Sequence, residues 1–365
     1  MRPAERLRAV AIYLPQFHPI PENDTWWGKG FTEWTNVARA RPVWPGHEQP
    51  RVPRDLGYYD LRVAETREAQ AELARSHGIS AFCYWHYWFS GKQVLERPLA
   101  EIVASGEPDF PFMVAWANEN WTRTWDGGDD QVLLAQDYSD EDDRQHFAML
   151  LPLLQDPRYV RIDDKPVLAV YRTSLLPDPA ATAATWRELA ASAGLPGLYL
   201  IQMETHSERP VPADNGFDAA AEFQPDPGCF VRTRLPPWYR VMNAIFRRKH
   251  RSRRCDLFSY DGLVDTALVR DQPPYLRYPC VTPGWDNSPR RENFPRIFLG
   301  SSPDRYEHWL RSAAERFIPP TPDENLVFIN AWNEWAEGNY IEPDLRNGRE
   351  FIEATARALG TTALP

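Results

Sequence analysis

Short apolar runs alternate along the chain with longer stretches in which apolar residues recur at helical spacing. The short runs are rich in β-branched and aromatic residues and predict eight strands, at 9–14, 79–85, 112–117, 167–171, 198–203, 219–223, 278–282 and 326–331. The longer stretches predict helices at 62–77, 94–104, 141–154, 178–193, 256–270, 303–317 and 348–358. The crossover at 207–217 contains no comparable helical pattern.

Strands that alternate with helices in this way predict an α/β fold, a single (β/α)8 TIM barrel with long βα loops. A barrel of this type needs about 250 residues, which leaves roughly 115 for the loops. The alternative, an open doubly wound sheet, usually has a glycine-rich first turn. Here the first turn after Leu14 reads PQFHP and contains no glycine. We therefore expect one domain over 1–365, with a basic insertion around 236–255.

Composition narrows the possible classes of protein. The chain has 365 residues, of which 43% are hydrophobic and 25% charged, as in ordinary globular proteins. A net charge of -10 argues against a general nucleic-acid-binding protein. The four cysteines are scattered without a CxxC pair, so we expect reduced thiols. No apolar stretch approaches the roughly 20 residues of a membrane span and no leader pattern precedes 9–15, so we expect a cytoplasmic protein.

The predicted strand ends are rich in tryptophan, histidine, asparagine and carboxylates. In a barrel the loops after the strands converge at one face, where ligands bind. Aromatic rings stack on the apolar faces of sugars, while amides and carboxylates bond the hydroxyl groups. A single Trp-rich strand end commonly reflects core packing, but the recurrence at seven ends favours a sugar site. The candidate substrate-binding residues are His18, Trp85, His86, Trp116, Asn118, Glu119, Trp121, Glu222, Trp285, Trp332, Asn333 and Trp335.

Glu334 and Glu337 are the candidate catalytic residues. They follow an apolar strand and are three residues apart, so one helical turn would place both carboxyls on one face. Repulsion between such a pair raises one pKa and leaves a protonated acid beside an ionised base. Glycoside cleavage uses a pair of this kind. The same spacing is commonplace on surface helices, but here Trp332 and Trp335 are interleaved with the two glutamates.

Three long motifs resemble a known family. They are AIYLPQFHP at 11–19 with WWGKGFTEW at 26–34, FCYWHYWF at 82–89, and WNEWAEG at 332–338 with IEP at 341–343. The chain resembles the glycoside hydrolase family 99-like domain, and more closely the bacterial WbsX glycosyltransferases of O-antigen clusters.

The resemblance implies a barrel without a metal or other cofactor. It also implies that Glu334 deprotonates the 2-hydroxyl of the sugar, which attacks C1 to form a 1,2-anhydro intermediate. Glu337 then acts as acid and base at the leaving oxygen. Mannosidases of family 99 carry a histidine before the second glutamate, where this chain has Ala336, so the substrate and the direction of reaction stay open.

The sequence therefore supports a carbohydrate-active enzyme of bacterial surface polysaccharide or O-antigen metabolism that acts on an oligosaccharide or polysaccharide by retaining, endo-α-mannosidase-like chemistry. The alternatives are a WbsX-type glycosyltransferase with a lipid-linked or polysaccharide acceptor, and a non-catalytic glycan-binding barrel. The stretch DGGDD at 126–130 is interpreted as a surface turn.

A basic run from Arg247 to Arg254 stands out in this acidic chain. Such a run is typical of a solvated loop. It also fits an anionic membrane surface or a lipid-linked glycan, which would make the protein peripheral at the inner membrane.

Overall fold

Parallel strands form the centre of the molecule. A computed structural model describes residues 7–123, 128–206, 208–235, 255–291 and 294–361, with the backbone alone at 128–130. The central strands are β1 (Arg8–Tyr13), β2 (Ile79–Phe89), β3 (Phe112–Trp116), β4 (Lys165–Val170), β5 (Tyr199–Glu204), β6 (Ala219–Glu222), β7 (Arg277–Tyr278), β8 (Cys280–Val281) and β9 (Leu326–Ile329).

The order of these strands gives a nearly closed ring. The neighbours run β7, β6, β5, β4, β3, β2, β1, β9 and β8. Pro279 separates β7 from β8, and the two short strands pair with β6 and β9 respectively. The predicted single strand at 278–282 is thus divided at a proline, because proline has no N–H for the ladder. The predicted (β/α)8 barrel is confirmed.

The helices lie between the strands or in the loops that follow them. They are α1 (Pro21–Trp27), α2 (Glu33–Arg39), α3 (Ala64–Ser76), α4 (Arg97–Ser105), α5 (Asp140–Gln155), α6 (Pro179–Ser192), α7 (Tyr260–Leu268), α8 (Pro303–Arg316) and α9 (Glu350–Ala358). Short 3-10 helices occupy Thr173–Leu175, Pro212–Asn215, Pro227–Cys229 and Trp335–Glu337. The sequence pattern did not predict α1 and α2, which lie in the long loop after β1.

Side-chain caps explain where several helices begin. The Asp178 carboxylate accepts a hydrogen bond from the backbone N–H of Ala181, and proline follows it at the start of α6. Ser139 caps α5 and Ser302 caps α8 in the same way. The predicted helix at 256–270 begins late, because Asp256–Ser259 forms a parallel strand with Arg296–Leu299 before Ser259 caps α7.

Small β ladders extend the loops around the barrel. The last residues of β2 pair with Lys92–Val94, which lengthens this strand beyond the predicted end at 85. Further short pairs join Trp121–Arg123 to Gly128–Leu134, Arg161–Ile162 to β4, and Asn333–Glu334 to Asn339–Tyr340. The last pair folds the chain after β9 back on itself, and the two candidate catalytic residues lie there.

Aromatic residues fill much of the core. All residues of β3 and β9 are buried, and the largest fully buried side chains include Trp116, Trp186, Trp332 and Trp335. Burying a large apolar side chain stabilises a fold by about 1.5–3 kcal/mol. The high tryptophan content therefore serves the core as well as the loops. Within the described ranges no helix is both long and apolar enough to cross a bilayer.

Candidate active site

Three glutamates surround one arginine at the carboxyl ends of the strands. An Nη2 atom of Arg290 lies 2.7 Å from Oε1 of Glu33 and 2.8 Å from Oε2 of Glu334, and its Nη1 atom lies 2.8 Å from Oε1 of Glu337. Glu33 is fully buried and Glu334 is 6% exposed. We call these four residues the carboxylate cluster. One guanidinium thus holds both predicted catalytic carboxyls in a fixed relation.

The backbone around Glu334 is tied to the first strand. The Trp332 N–H donates to the Ile12 carbonyl at 2.7 Å. The Asn333 side chain accepts from the Leu14 N–H at 2.7 Å and donates to its carbonyl at 3.1 Å. The segment after β9 is therefore fixed against the carboxyl end of β1, and Glu334 is the next residue after Asn333.

A tight turn brings Glu337 back to the cluster. Gly338 has a φ of 59°, in the left-handed region, and a Cβ there would lie 3.0 Å from the backbone nitrogen of Asp286. That nitrogen donates to the Glu337 carbonyl at 2.6 Å. Only glycine fits both the conformation and the close approach, so this turn fixes the position of Glu337.

Glu342 stabilises the turn that contains Trp335 and Glu337. Its carboxylate accepts from Nε1 of Trp335 at 2.6 Å, from the Tyr59 hydroxyl at 2.9 Å and from Nε2 of Gln70 at 2.7 Å. Trp335 also stacks on Tyr340, with 3.8 Å between ring centroids. Burial raises the pKa of Glu342 to about 7, although the hydrogen bonds act to lower it.

The electrostatics of the cluster favour a retained proton. Burial raises the pKa of Glu334 to about 8, with further contributions from Glu337 and Glu33 and an opposing effect of Arg290. Burial also raises the pKa of Glu337. Burial alone would lower the pKa of Arg290, but the three carboxylates raise it above its ordinary value. Three carboxylates against one guanidinium leave excess negative charge, so the cluster can hold a proton near neutral pH.

A cavity of about 440 Å³, which we call the central cavity, opens onto the cluster, and its other walls combine aromatic with polar side chains. It is lined by Glu334, Glu337 and Arg290 together with Trp85, Tyr87, Glu119, Trp121, Tyr171, Phe223 and Trp285. A volume of this size is typical of small-molecule sites. The arrangement places two carboxyl groups with raised pKa values at one end of a cleft that contains seven aromatic side chains.

The sequence pattern of the family described as Glycosyltransferase WbsX matches residues 9–355. The chain belongs to this family. It is also 45% identical over 355 residues to the uncharacterized protein WxcX of Xanthomonas campestris pv. campestris, in strain B100 and equally in strain ATCC 33913. The match covers 96% of this chain but 49% of WxcX, so the chain spans about half the length of these relatives.

Solved structures share the fold of this WbsX-family chain. A glycoside hydrolase-like protein superimposes with a TM-score of 0.62 and 15% identity, covering 98% of this chain and 95% of that one. The GH99 endo-alpha-mannosidase from Bacteroides thetaiotaomicron superimposes with a TM-score of 0.54 and 15% identity, covering 97% and 96%. At this level of identity the likeness shows the barrel fold.

The structure brings six of the predicted site residues of the WbsX-family chain to the central cavity: Glu334, Glu337, Trp85, Glu119, Trp121 and Trp285. Glu119 is also ion-paired to Arg172, with 2.9 Å between nitrogen and oxygen. The other eight predicted residues do not line this cavity: His18, His86, Trp116, Asn118, Glu222, Trp332, Asn333 and Trp335.

Strand alternation explains several of these positions. Along β2, Trp85 and Tyr87 line the cavity, while His86 between them lies 3.0 Å from His146 of α5 through the Nε2 atoms. Trp116 at the end of β3 packs on Trp186 of α6 with 5.9 Å between ring centroids. Successive side chains on a strand point to opposite faces, so a run of chemically suitable residues cannot all face one site.

Other predicted residues hold the loops in place. Asn118 bonds the backbone carbonyl and N–H of Arg172, both at 2.8 Å. Glu222 lies 3.2 Å from a guanidinium nitrogen of Arg277. Burial lowers the pKa of His18 to about 4. Trp332 and Trp335 are buried, and their rings pack on Phe82 and Trp34 with 5.0 and 5.4 Å between ring centroids.

Sequence reasoning missed Glu33, Arg290, Tyr87, Tyr171, Phe223 and Glu342. Glu33, Tyr87 and Glu342 stand within the quoted motifs, which was the available signal. Arg290 follows a proline in a polar loop and carries no local signal. Across the described ranges no group of three His, Cys, Asp or Glu side chains is arranged to hold a metal ion.

Proposed function

We propose that this WbsX-family chain breaks and forms glycosidic bonds of a bacterial surface polysaccharide or O-antigen oligosaccharide, with Glu334 and Glu337 as its acid–base pair. The single observation that carries the proposal is the bridge of Arg290 between these two buried carboxyls, whose pKa values are raised chiefly by burial, at the end of an aromatic cavity. Such a pair can deliver one proton and receive another across a scissile bond.

In the proposed reaction the cluster enters with one proton, which Glu334 and Glu337 share. The reaction starts from the form in which Glu337 carries this proton and Glu334 is ionised. Glu337 gives it to the glycosidic oxygen as the bond from C1 to that oxygen breaks. Glu334 takes the proton of the sugar 2-hydroxyl, so that O2 bonds to C1 and a 1,2-anhydro sugar forms. In the second step Glu337 takes a proton from the incoming hydroxyl as its oxygen attacks C1, and Glu334 returns a proton to O2. The anomeric configuration is retained.

The incoming hydroxyl decides between hydrolysis and transfer. Water gives a hydrolase, and a hydroxyl of a lipid-linked or polysaccharide acceptor gives the glycosyltransferase that the family description names. The central cavity is partly open and has room for either. Incubation with α-mannoside oligosaccharides, and separately with nucleotide sugars and an acceptor glycan, followed by mass spectrometry of the products distinguishes the two.

The expected result is a new glycan product in at least one arm, absent when Glu337→Gln replaces the wild type. Bound but unchanged glycans in every arm would instead support a non-catalytic glycan-binding barrel. A product that Glu337→Gln forms at the wild-type rate would contradict the proposed chemistry.

We further propose that the basic run from Arg247 to Arg254, which lies outside the described residues, binds an anionic membrane surface or lipid-linked glycan and makes the cytoplasmic protein peripheral at the inner membrane. Each basic residue near an anionic surface contributes about 1 kcal/mol. Vesicles with anionic lipid should sediment the wild type but not a variant with this run neutralised. Equal sedimentation of both would contradict the idea.

A further inference from the structure

A second cavity meets the carboxylate cluster from the side of β1. It has a volume of about 290 Å³. Six lining residues are common to it and the central cavity: Tyr87, Glu119, Asn120, Trp121, Arg290 and Glu334. The two cavities therefore adjoin each other at Glu334. An acid–base pair at such a junction has space for one sugar ring on each side of the bond that it breaks.

Two buried amides line this second cavity without partners. Gln16 is 3% exposed and Asn23 is 1% exposed. Among the described residues, Nε2 of Gln16 and both Nδ2 and Oδ1 of Asn23 have no hydrogen-bond partner. Leaving a buried polar group unsatisfied costs about 1–3 kcal/mol. No hydrogen bond to another described residue offsets this cost at these atoms. The two amides therefore point to a ligand that supplies the missing partners.

The backbone holds both amides in place. The Gln16 carbonyl accepts from the N–H of Glu33 at 3.0 Å, which ties the loop after β1 to the start of α2. Asn23 lies within α1, whose end is closed by the N–H of Gly28 on the Asp24 carbonyl at 3.1 Å. A ligand therefore meets preformed hydrogen-bonding groups, which keeps the entropic cost of binding low.

The remaining walls indicate the chemistry of the ligand. Trp26 and Trp27 are half-buried and line the cavity, and Trp26 contacts Trp121 edge to face with 5.9 Å between ring centroids. Among the described lining residues the one cation is Arg290, which is engaged by three carboxylates. Glu119 adds a carboxylate to the lining, and the guanidinium of Arg123 lies over the Trp27 ring, 5.4 Å from its centroid, without being one of the lining residues. The lining therefore disfavours a phosphate or carboxylate group, whereas the aromatic side chains and the two amides suit a neutral sugar ring.

We infer that this second cavity is a subsite for one neutral pyranose ring, whose hydroxyl groups bond Asn23 and Gln16 while its apolar face rests against Trp26 and Trp27. We call it the Asn23 subsite. The inference rests on the proposed function, because it supplies the position of a sugar unit next to the bond at Glu334. The Asn23 amide can donate to one hydroxyl and accept from another.

The test is Asn23→Leu, with Asn36→Leu as the matched control. Asn36 also has a buried Nδ2 without a partner among the described residues, but it lines neither the central cavity nor the second one. Binding of neutral methyl hexosides and their disaccharides is measured by saturation-transfer NMR and titration, and thermal melting is recorded for each variant. Glycan products of wild type and variant are then compared by mass spectrometry.

Losing one to two hydrogen bonds should weaken sugar binding by about 10- to 100-fold in Asn23→Leu, with no loss of melting temperature, because no bond within the chain is broken. Asn36→Leu should bind as the wild type does. A purely structural role of Asn23 predicts the reverse: a lower melting temperature and unchanged binding. Either unchanged binding in Asn23→Leu or no binding of any panel sugar by the wild type would overturn the inference.

These outcomes separate the inference from the proposed function. Binding that depends on Asn23, in a protein that converts no glycan, would support the subsite and contradict the proposed enzyme. Glycan conversion with the same KM in wild type and Asn23→Leu would support the enzyme and contradict the subsite.

Discussion

Replacing Arg290 by glutamine removes the positive charge that three buried carboxylates share. In the structure its guanidinium lies 2.7 Å from Glu33 and 2.8 Å from each of Glu334 and Glu337. Removing one partner of a buried ion pair typically costs about 3–5 kcal/mol, because the remaining charge is left buried without compensation. We expect a loss of this size in the free energy of unfolding where all three carboxylates are ionised.

The loss should depend on pH. In the wild type burial already raises the pKa of Glu334 to about 8, and without the guanidinium the pKa values of Glu334 and Glu337 rise further. An unfolded chain releases these protons near the ordinary glutamate pKa of about 4.3. The native variant therefore holds more protons than its unfolded state above this pH, and its stability falls as pH rises. The deficit relative to wild type should be small near pH 5 and largest near pH 9.

Urea denaturation at about pH 5, 7 and 9 measures the difference in the free energy of unfolding between the wild type and Arg290→Gln. Arg311→Gln is the control, since Arg311 forms an exposed pair with Glu307 at 2.6 Å and should cost about 0–1 kcal/mol at each pH. Adding Glu33→Gln to Arg290→Gln should recover part of the loss, because one uncompensated charge disappears. Two results would refute the reasoning. One is a stability loss in Arg290→Gln below about 1 kcal/mol at pH 9, and the other is a loss of the same size at all three pH values.

Three further outcomes are expected. Burial raises the pKa of Glu342 to about 7, so the stability advantage of wild type over Glu342→Gln should shrink as pH rises from about 4.3 to 7. A difference in unfolding free energy that stays constant over this range in urea titrations would contradict the prediction. Burial lowers the pKa of His146, so the stability advantage of wild type over His146→Gln should shrink as pH falls below about 6.5. No change in urea titrations there would show that the pKa of the ring is the same in the folded and unfolded states and would contradict this prediction. Trp285→Ala should weaken glycan binding about 2- to 12-fold in titrations, from the loss of a stacking face, and full affinity would remove Trp285 from the site.

The barrel could be predicted from the sequence because most residues of its strands are buried, and several strands read as continuous apolar runs. Residues 112–116 and 326–329 are examples, and both are wholly buried strands in the structure. The predicted strand at 278–282 divides at Pro279, since a proline inside a ladder removes a hydrogen-bond donor. The predicted helix at 256–270 begins with a strand, because Asp256–Ser259 finds a distant partner in Arg296–Leu299.

The candidate site was predicted only in part. Glu334 and Glu337 are close in sequence and carry a recognisable spacing, whereas the arginine that bridges them lies more than forty residues earlier, in a loop without hydrophobic pattern. Side-chain direction was the other difficulty. Trp85 reaches the cavity and the adjacent His86 bonds His146 instead, since composition at a strand end does not say which face each residue takes.

The central claim, that the paired glutamates bridged by Arg290 perform glycosidic chemistry, is tested most directly by the rate of glycan conversion in Glu337→Gln, with Glu208→Gln as the control. Glu208 is a partly exposed carboxylate paired to Arg172 at 2.9 Å and stands outside the carboxylate cluster. The account predicts that Glu337→Gln loses conversion while keeping its thermal melt, and that Glu208→Gln keeps both. Conversion by Glu337→Gln at the wild-type rate would contradict the account.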